Sequence, residues 1–372
     1  MMLAEKKESI VEKLERFELE LKGAFPERET VIEQSLDSLI ASEHVLFLGP
    51  PGTAKSMIAR AFSDALDVRL WSYMFTRFTT PDEILGPVKL SELENDRYIR
   101  NPKKKLPEAD VAVFEEVFKG NSACINATLG ICNERIWHND GEELDVPMRT
   151  AFMNSNELPT DKDGLGAFLD RIVSRVYVGD IVSREAFEQI MYSKPAPIET
   201  KFSLDELDEL MQIADSLTVT DDARDALWNV RLAMLDLGIY CSPRRYSKSL
   251  KIAAANAARH GDTEILPCHL NVLRNILWDK PEQFESVARI VDEHTAPWKK
   301  EFKLINDAVT EIFSLLKKRR LQSTDVSSKI RYVRELCDGV KDPRAESAVK
   351  KTLSLCKAAS AEVIARTKKE LR

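Results

Sequence analysis

Residues 49–56, with the sequence Gly-Pro-Pro-Gly-Thr-Ala-Lys-Ser, constrain the fold of this chain more than any other segment. They directly follow an apolar run, residues 44–48, that suits a buried parallel strand, and a helical pattern continues from Met57. A glycine-rich turn between a strand and a helix N-terminus presents successive backbone N–H groups that bind phosphate. The sequence therefore predicts a phosphate-binding loop (P-loop) at the edge of a parallel sheet.

The predicted nucleotide-binding residues are the members of this loop: Gly49, Pro50, Pro51, Gly52, Thr53, Ala54, Lys55 and Ser56. Lys55 is expected to reach the β- and γ-phosphates of ATP or ADP, and the Ser56 hydroxyl to ligate Mg²⁺. The usual pattern has glycine before the lysine, where this chain has Ala54. The methyl group of Ala54 is tolerated at this position if the residue has right-handed helical angles.

A second motif supports hydrolysis. The apolar run 111–114 ends in two acids, Glu115 and Glu116, about 60 residues after the loop. In P-loop ATPases the first acid holds the magnesium shell and the second polarises the attacking water. The first acid is usually Asp, and Glu115 is one methylene longer, which predicts slower hydrolysis. We accordingly expect Glu115→Asp to raise the hydrolysis rate and to leave nucleotide affinity nearly unchanged.

Strand-like and helix-like runs alternate up to about residue 180, which predicts a parallel sheet with helices on both faces. The further predicted strands are residues 68–73, 110–114, 150–154 and 175–178. After a Lys-Pro-Ala-Pro linker every segment is helix-patterned: residues 204–213, 223–237, 243–260 and 268–278. The predicted domains are an α/β nucleotide-binding domain (1–195), an all-α lid (196–281) and a C-terminal arm of long helices (282–372).

Charge and cysteine usage narrow the class of protein further. Residues 299–372 hold 19 Lys and Arg against 10 Asp and Glu, although the whole chain carries −7. A basic arm on an acidic body suits a solvated helical face or an acidic partner. Six cysteines without a C-x-x-C pair predict buried thiols in a reducing compartment. No apolar run approaches the roughly 18–20 residues of a membrane helix, so we expect a cytoplasmic protein without membrane insertion.

With both nucleotide motifs in place, the chain resembles the MoxR branch of AAA+ ATPases, and within it the RavA-like regulatory ATPases. The resemblance is carried by the loop with Ala54, by residues 76–83 followed by Gly86-Pro87, by Ser-Asn-Glu-Leu-Pro at 155–159, and by Leu-Asp-Arg-Ile at 169–172. It covers about residues 5–280. It implies an AAA+ α/β core, an all-α lid domain and ATP hydrolysis with Mg²⁺.

The resemblance also implies roles for single residues. Asn156 would be the sensor that orients the attacking water beside Glu116. Arg171 would be the arginine finger, which acts in the active site of a neighbouring subunit, with Arg175 as a second candidate. Such fingers raise hydrolysis rates by roughly 10³–10⁵ in related NTPases.

A second sensor is implied at the start of a lid helix. Ser242 and Pro243 precede Arg244, which would contact the γ-phosphate and couple lid closure to the nucleotide state. Arg245 could take this role instead, or both could be surface charges.

Two insertions fit the same branch. Residues 86–106 resemble an insert that projects toward the ring pore. Residues 135–148 read as a β-hairpin with Asn139-Asp-Gly141 as its turn. Trp137, near this turn, could grip a polypeptide or stack on a base, but a packed aromatic side chain is the favoured interpretation.

The leading functional prediction is a chaperone-like ATPase, a homo-oligomeric ring that is expected to be a hexamer and to remodel a protein partner. The resemblance implies a partner of the von Willebrand factor A-domain class. Two alternatives stay open: a nucleic-acid motor, favoured by the hairpin and the basic arm, and a nucleotide-dependent scaffold with weak hydrolysis, favoured by Glu115.

Overall fold

The computed structural model describes residues 2–66, 68–160, 164–296, 305, 307–312, 323–339, 349–350, 352–357 and 359–361. The chain divides into two compact units, Met1–Ala288 and Arg289–Arg372. In the described part of the chain, no helix has the length and apolar character that crossing a membrane requires.

A five-stranded parallel sheet forms the centre of the first unit. The strands of this unit are β1 (Val45–Leu48), β2 (Leu70–Met74), β3 (Val111–Glu115), β4 (Ile136–Asn139), β5 (Glu142–Asp145), β6 (Thr150–Ser155), β7 (Ser174–Tyr177), β8 (Thr218–Val219) and β9 (Glu264–Ile265). The sheet has the order β2-β3-β6-β1-β7, and each neighbouring pair is parallel. Strands β1, β3 and β6 are buried at every position, as expected for a sheet covered on both faces.

Helices alternate with these strands along the chain. They are α1 (Met2–Ala24), α2 (Glu29–Ile40), α3 (Lys55–Ala65), α4 (Pro81–Leu85), α5 (Leu90–Leu93), α6 (Ser122–Ala127), α7 (Leu129–Glu134), α8 (Gly166–Arg171) and α9 (Arg184–Tyr192). Phe62 of α3 packs against Phe152 of β6 and Phe17 of α1, with ring centroids 5.4 and 5.8 Å apart. This aromatic layer anchors α3, and with it the loop before α3, to the sheet.

The lid region contains α10 (Leu204–Asp215), α11 (Asp221–Asp236), α12 (Pro243–Arg259) and a 3₁₀-helix (Pro267–Asn275). Ser242 caps α12 by accepting a hydrogen bond from Arg245 N, and Pro243 occupies the first turn, as its preset φ favours.

Two expectations for this region were wrong. The helix predicted at 268–278 is a 3₁₀-helix over Pro267–Asn275 and not an α-helix, and β8 pairs in parallel with β9 inside the region expected to be wholly helical. Two-residue strands are too short to show an alternating pattern, so sequence periodicity cannot reveal them.

The predicted hairpin is confirmed as β4 and β5, which pair Asn139 with Glu142. The two turn residues, Asp140 and Gly141, have φ values of 55° and 81°, the positive pair that a tight hairpin turn of this hand requires. Trp137 is buried in the core, as the favoured interpretation held. The turn also contacts the insert 86–106, because Asp140 Oδ1 accepts from Tyr98 N at 2.8 Å and Asn139 Oδ1 from Arg100 N at 2.9 Å.

The described residues of the C-terminal part are helical, which confirms the predicted helical region. Helix α13 (Phe284–Thr295) crosses the division between the units, and a long helix, Ser323–Gly339, lies in the second unit. The second unit has its own apolar cluster, which includes Ile305, Ile312, Val333 and Cys337.

Candidate nucleotide-binding site

The loop between β1 and α3 is held close to the end of β7. A Cβ atom on Gly49 would lie 2.2 Å from the carbonyl oxygen of Val178, so only glycine fits there. Gly52 has a φ of 84°, in the left-handed region that favours glycine. Arg28, at the start of α2, fastens the loop further: its Nη2 donates to Gly179 O at 2.9 Å and its Nε to Thr53 O at 3.4 Å.

Ala54 does not meet the condition stated for its methyl group. Its φ and ψ are 71° and 13°, in the left-handed region and not in the right-handed helical region. Ala54 is the N-cap of α3, where the chain reverses from the loop into the helix. A positive φ at this point lets the following N–H groups turn toward the loop interior, and for alanine it costs roughly 1–2 kcal/mol.

Lys55 lies inside the loop and is only 7% exposed. Its Nζ donates to Gly49 O at 2.7 Å, to Pro50 O at 2.8 Å and to Asn156 Oδ1 at 3.0 Å. Burial lowers the pKa of Lys55, while the negative charges of Glu116 and Glu115 oppose that shift. Because Nζ bonds to two carbonyl oxygens of the loop, the loop surrounds the ammonium group.

The two acids at the end of β3 have separate partners. Glu115 Oε2 accepts a hydrogen bond from Ser56 Oγ at 2.7 Å and another from Asn154 Nδ2 at 2.8 Å. Glu116 Oε1 accepts from Asn156 Nδ2 at 2.7 Å, and Lys119 Nζ lies 3.2 Å from Glu116 Oε2. The structure thus brings together Lys55, Ser56, Glu115, Glu116 and Asn156.

Sequence reasoning did not identify Asn154 as a site residue, because it assigned residues 150–154 to a strand and read only Asn156 as functional. Its place in the site follows from the strand order, which only the structure shows. Phe114 of β3 pairs with Met153 of β6, so the next residue of each strand, Glu115 and Asn154, is brought to the same edge of the sheet.

A cavity of about 640 Å³ opens beside the loop. Its polar lining includes Lys55, Ser56, Glu115, Glu116, Asn154 and Asn156, and its apolar lining includes Phe25, Pro26, Met57, Ile181 and Ile190. A polar end next to an apolar end suits a ligand that joins phosphates to a flat heterocyclic base. The segment between α1 and α2 and the residues around α9, which sequence reasoning did not single out, supply the apolar end.

The donor set fits a divalent cation that prefers oxygen. Glu115 Oε1 and Asn154 Oδ1 are buried and accept no hydrogen bond from the described residues. Carboxylate, amide and hydroxyl oxygens are ligands that Mg²⁺ accepts, either directly or through water. Within the described residues, no group of three or more His, Cys, Asp or Glu side chains could hold a metal ion.

The four predicted arginines lie outside the lining of this cavity. Arg171 Nη1 donates to Ala167 O at 2.9 Å within α8, and Arg244 Nη1 lies 3.6 Å from Asp170 Oδ2. In this structure neither residue reaches the loop of its own chain.

The two alternative arginines, Arg175 and Arg245, are buried and paired with acidic or carbonyl groups. Arg175 is fully buried, and its Nη1 donates to Trp278 O at 2.9 Å and to Asp279 Oδ1 at 3.0 Å. Burial and the neighbouring Arg245 lower the pKa of Arg175 to about 10, against the opposing charge of Asp279. Arg245 Nη2 lies 2.8 Å from the same carboxylate. These contacts do not support Arg175 as a finger or Arg245 as a sensor.

Comparisons with known proteins agree with this geometry. A family model described as the MoxR domain in the MoxR-vWA-beta-propeller ternary systems matches residues 12–212, and an AAA lid domain model matches residues 222–291. An uncharacterized protein of Methanocaldococcus jannaschii is 34% identical over 314 residues, covering 83% of this chain and 84% of the relative. A second uncharacterized protein of the same organism is 36% identical over 288 residues, covering 77% and 75%.

The fold is also found among solved structures. A crystal structure of a protein from Cytophaga hutchinsonii, named as a candidate ATPase, has a TM-score of 0.61 at 14% identity and covers 77% of this chain and 96% of its own. The parallel sheet, the P-loop before α3, the two acids ending β3 and the two matching family models lead to one conclusion. The chain belongs to the MoxR family of AAA+ ATPases.

Proposed function

We propose that this protein binds ATP and ADP with Mg²⁺ and hydrolyses ATP. The observation that carries the proposal is the continuous chain of hydrogen bonds from Lys55 through Asn156 to Glu116. It joins the side chain proposed to contact the phosphates, the proposed sensor and the proposed base. Bound Mg²⁺, held through Ser56 and Glu115, would neutralise charge on the phosphates.

The protein residues would act as follows. Glu116 polarises the attacking water and accepts its proton, because its carboxylate borders the cavity. Asn156 orients this carboxylate through its Nδ2 donor and senses the nucleotide through Lys55, which bonds to its Oδ1. Lys55 exchanges its bonds to the carbonyls of Gly49 and Pro50 for bonds to the β- and γ-phosphates.

Lys55→Ala tests nucleotide binding. It deletes the cation that faces the phosphates, so we expect ATP affinity measured by titration calorimetry to fall by at least about 100-fold. Lys201→Ala is a matched control, since Lys201 is an exposed lysine that bonds to Asp64 O outside the cavity. Unchanged affinity in Lys55→Ala would overturn the proposal.

A homo-oligomeric ring, with a hexamer as the expected size, is part of the same proposal. In it, Arg171 acts as the finger in a neighbouring site, and Arg244 reaches the γ-phosphate when the lid closes. The matching family model is named for MoxR-vWA-beta-propeller systems, which supports a von Willebrand factor A-domain protein as the partner remodelled in a chaperone-like reaction. Buried Trp137 offers no stacking surface for a base, so the protein partner is favoured over nucleic acid. We propose the cytoplasm as the location.

A further inference from the structure

Glu115 occupies a position where the shorter aspartate is usual. Its extra methylene adds a side-chain torsion angle, which must be restrained if the carboxylate is to stay in one position. A free glutamate side chain loses more rotamer entropy on ordering than an aspartate. In this structure, Glu115 is 9% exposed and its Oε2 atom is held by two donors, Ser56 Oγ at 2.7 Å and Asn154 Nδ2 at 2.8 Å. The longer side chain is thus restrained by residues from two other elements, α3 and β6.

Asn154 is suited to this task by its place and by its chemistry. It is 2% exposed, and its Nδ2 also lies 3.4 Å from Ser56 Oγ, so one amide group spans both partners of the predicted metal site. A carboxamide donates through its nitrogen and accepts through its oxygen. While the nitrogen holds Glu115, Asn154 Oδ1 and Glu115 Oε1 are the two buried oxygens that accept nothing from the described residues.

We propose that Asn154 is a positioning residue for the divalent cation, and that Glu115 and Asn154 act as one unit. Asn154 Nδ2 holds the Glu115 carboxylate against the Ser56 hydroxyl, which leaves Glu115 Oε1 and Asn154 Oδ1 for the cation or for its bound water. The pair thereby replaces a single shorter acid. This inference rests on the proposed function, because the cation is expected to bind together with nucleotide.

Measuring ADP affinity by calorimetry in Mg²⁺ and again in EDTA separates the role proposed for Asn154 from the proposed nucleotide binding. The ratio of these affinities reports the metal site, whereas the affinity in EDTA reports the loop and the fold. Outer partners of metal ligands typically contribute about 10–100-fold to metal affinity. For Asn154→Ala we expect the ratio to fall by about 10-fold while the affinity in EDTA stays within about twofold.

Asn154→Leu, close in size, keeps the strand filled and should lower the ratio similarly. Ser155→Ala is the control, because Ser155 is the next residue of β6 and its Oγ donates to Glu157 O, away from Glu115. It should leave the ratio unchanged.

The coupling is tested in a Glu115→Asp background. The shorter carboxylate is withdrawn from Asn154, so adding Asn154→Ala should change the ratio by less than about twofold, since the contact is already lost. An equal loss in both backgrounds, or an unchanged ratio in Asn154→Ala, would overturn the pairing. If the wild-type protein binds no ADP in EDTA or in Mg²⁺, the proposed function itself fails.

Discussion

At the scale of single residues, the site is built around backbone conformations that L-amino acids rarely adopt. Ala54 has a φ of 71° directly before the P-loop lysine, and Glu116 has a φ of 54° directly after β3. Both residues stand where a strand or loop turns sharply beside the cavity. Non-glycine residues in this region cost of order 1–3 kcal/mol each and concentrate at functional sites. The strain is local, and the packed sheet maintains it.

Ala54→Gly should therefore stabilise the protein. Glycine removes the cost of the left-handed angles, roughly 1–2 kcal/mol, and adds unfolded-state entropy worth about 0.4–1 kcal/mol. We expect the free energy of unfolding in urea to rise by about 0.5–1 kcal/mol. The same change at Ala61, inside α3, should lower it by about 1 kcal/mol. Equal losses at both positions would contradict the argument from φ.

The Glu115→Asp substitution now has two opposed expectations. Side-chain length alone predicts faster hydrolysis, because Asp is the usual acid. The hydrogen bonds of Glu115 to Ser56 and Asn154 predict the reverse, since Asp would be withdrawn from both donors. Steady-state ATP hydrolysis at saturating Mg²⁺ decides between them, and we expect Asp to be slower.

At the scale of elements, a buried histidine ties the first strand to its neighbours. His44 precedes β1, and its Nδ1 accepts a hydrogen bond from Ala151 N of β6 at 3.0 Å. Its Nε2 donates to Cys132 O of α7, and Arg135 Nη1 lies 2.9 Å from the same nitrogen. Burial, together with the charge of Arg135, holds the pKa of His44 well below 6.5. The imidazole is therefore neutral in the folded protein.

This histidine should make stability depend on pH. Below about pH 6.5, His44 binds a proton in the unfolded protein but stays neutral in the folded protein. The free energy of unfolding therefore falls as pH falls. Below that pH, His44 lowers the free energy of unfolding by an amount that approaches about 1.4 kcal/mol per pH unit. His44→Gln should flatten the fall measured by urea unfolding between about pH 5 and 7. The exposed hairpin residue His138, changed to Gln, is the control, and an unaltered slope in His44→Gln would refute the assignment.

At the scale of the whole molecule, the comparisons and the structure divide the chain differently. The family models end at residue 212 and resume at 222–291, whereas compactness divides the chain between Ala288 and Arg289. The boundaries at 195 and 281 stay a proposal. An ion-pair cluster joins α8 to the lid, because Asp170 lies 3.6 Å from Arg244 and 3.5 Å from Arg245.

Arg171→Ala tests action between subunits. The variant should fold and bind ATP like the wild type, and its turnover should fall by about 10³-fold, because the finger acts in a neighbouring site. Mixing it with excess Glu116→Gln subunits should restore part of the activity by combining an intact finger with an intact acid. Arg224→Ala is a charge-matched control, since Arg224 is exposed and pairs with Asp221 on α11. Wild-type turnover in Arg171→Ala would refute the finger.

The sequence by itself determined those features that depend on interactions between residues close together in the chain. The P-loop, the strands β1, β3 and β6, and the turn at Asp140 and Gly141 each follow from a short run of residues whose backbone preferences and burial pattern agree. The boundaries of these strands match the structure within one or two residues. The placement of Glu116 near Lys55 followed from the two acids at the end of a strand, whereas that of Asn156 was implied by the resemblance to the MoxR branch.

Only the tertiary structure decided which distant residues share a contact. In the sequence, Asn154 lies 39 positions from Glu115, and Arg175 lies 104 positions from Asp279. No local sequence pattern therefore indicates that the members of either pair are in contact. Strand order and register bring them together, and burial then requires that each charge or amide find a partner. Ala54 follows the same logic, because its left-handed angles are imposed by a loop fastened to Val178 and Arg28, against the preference of alanine itself.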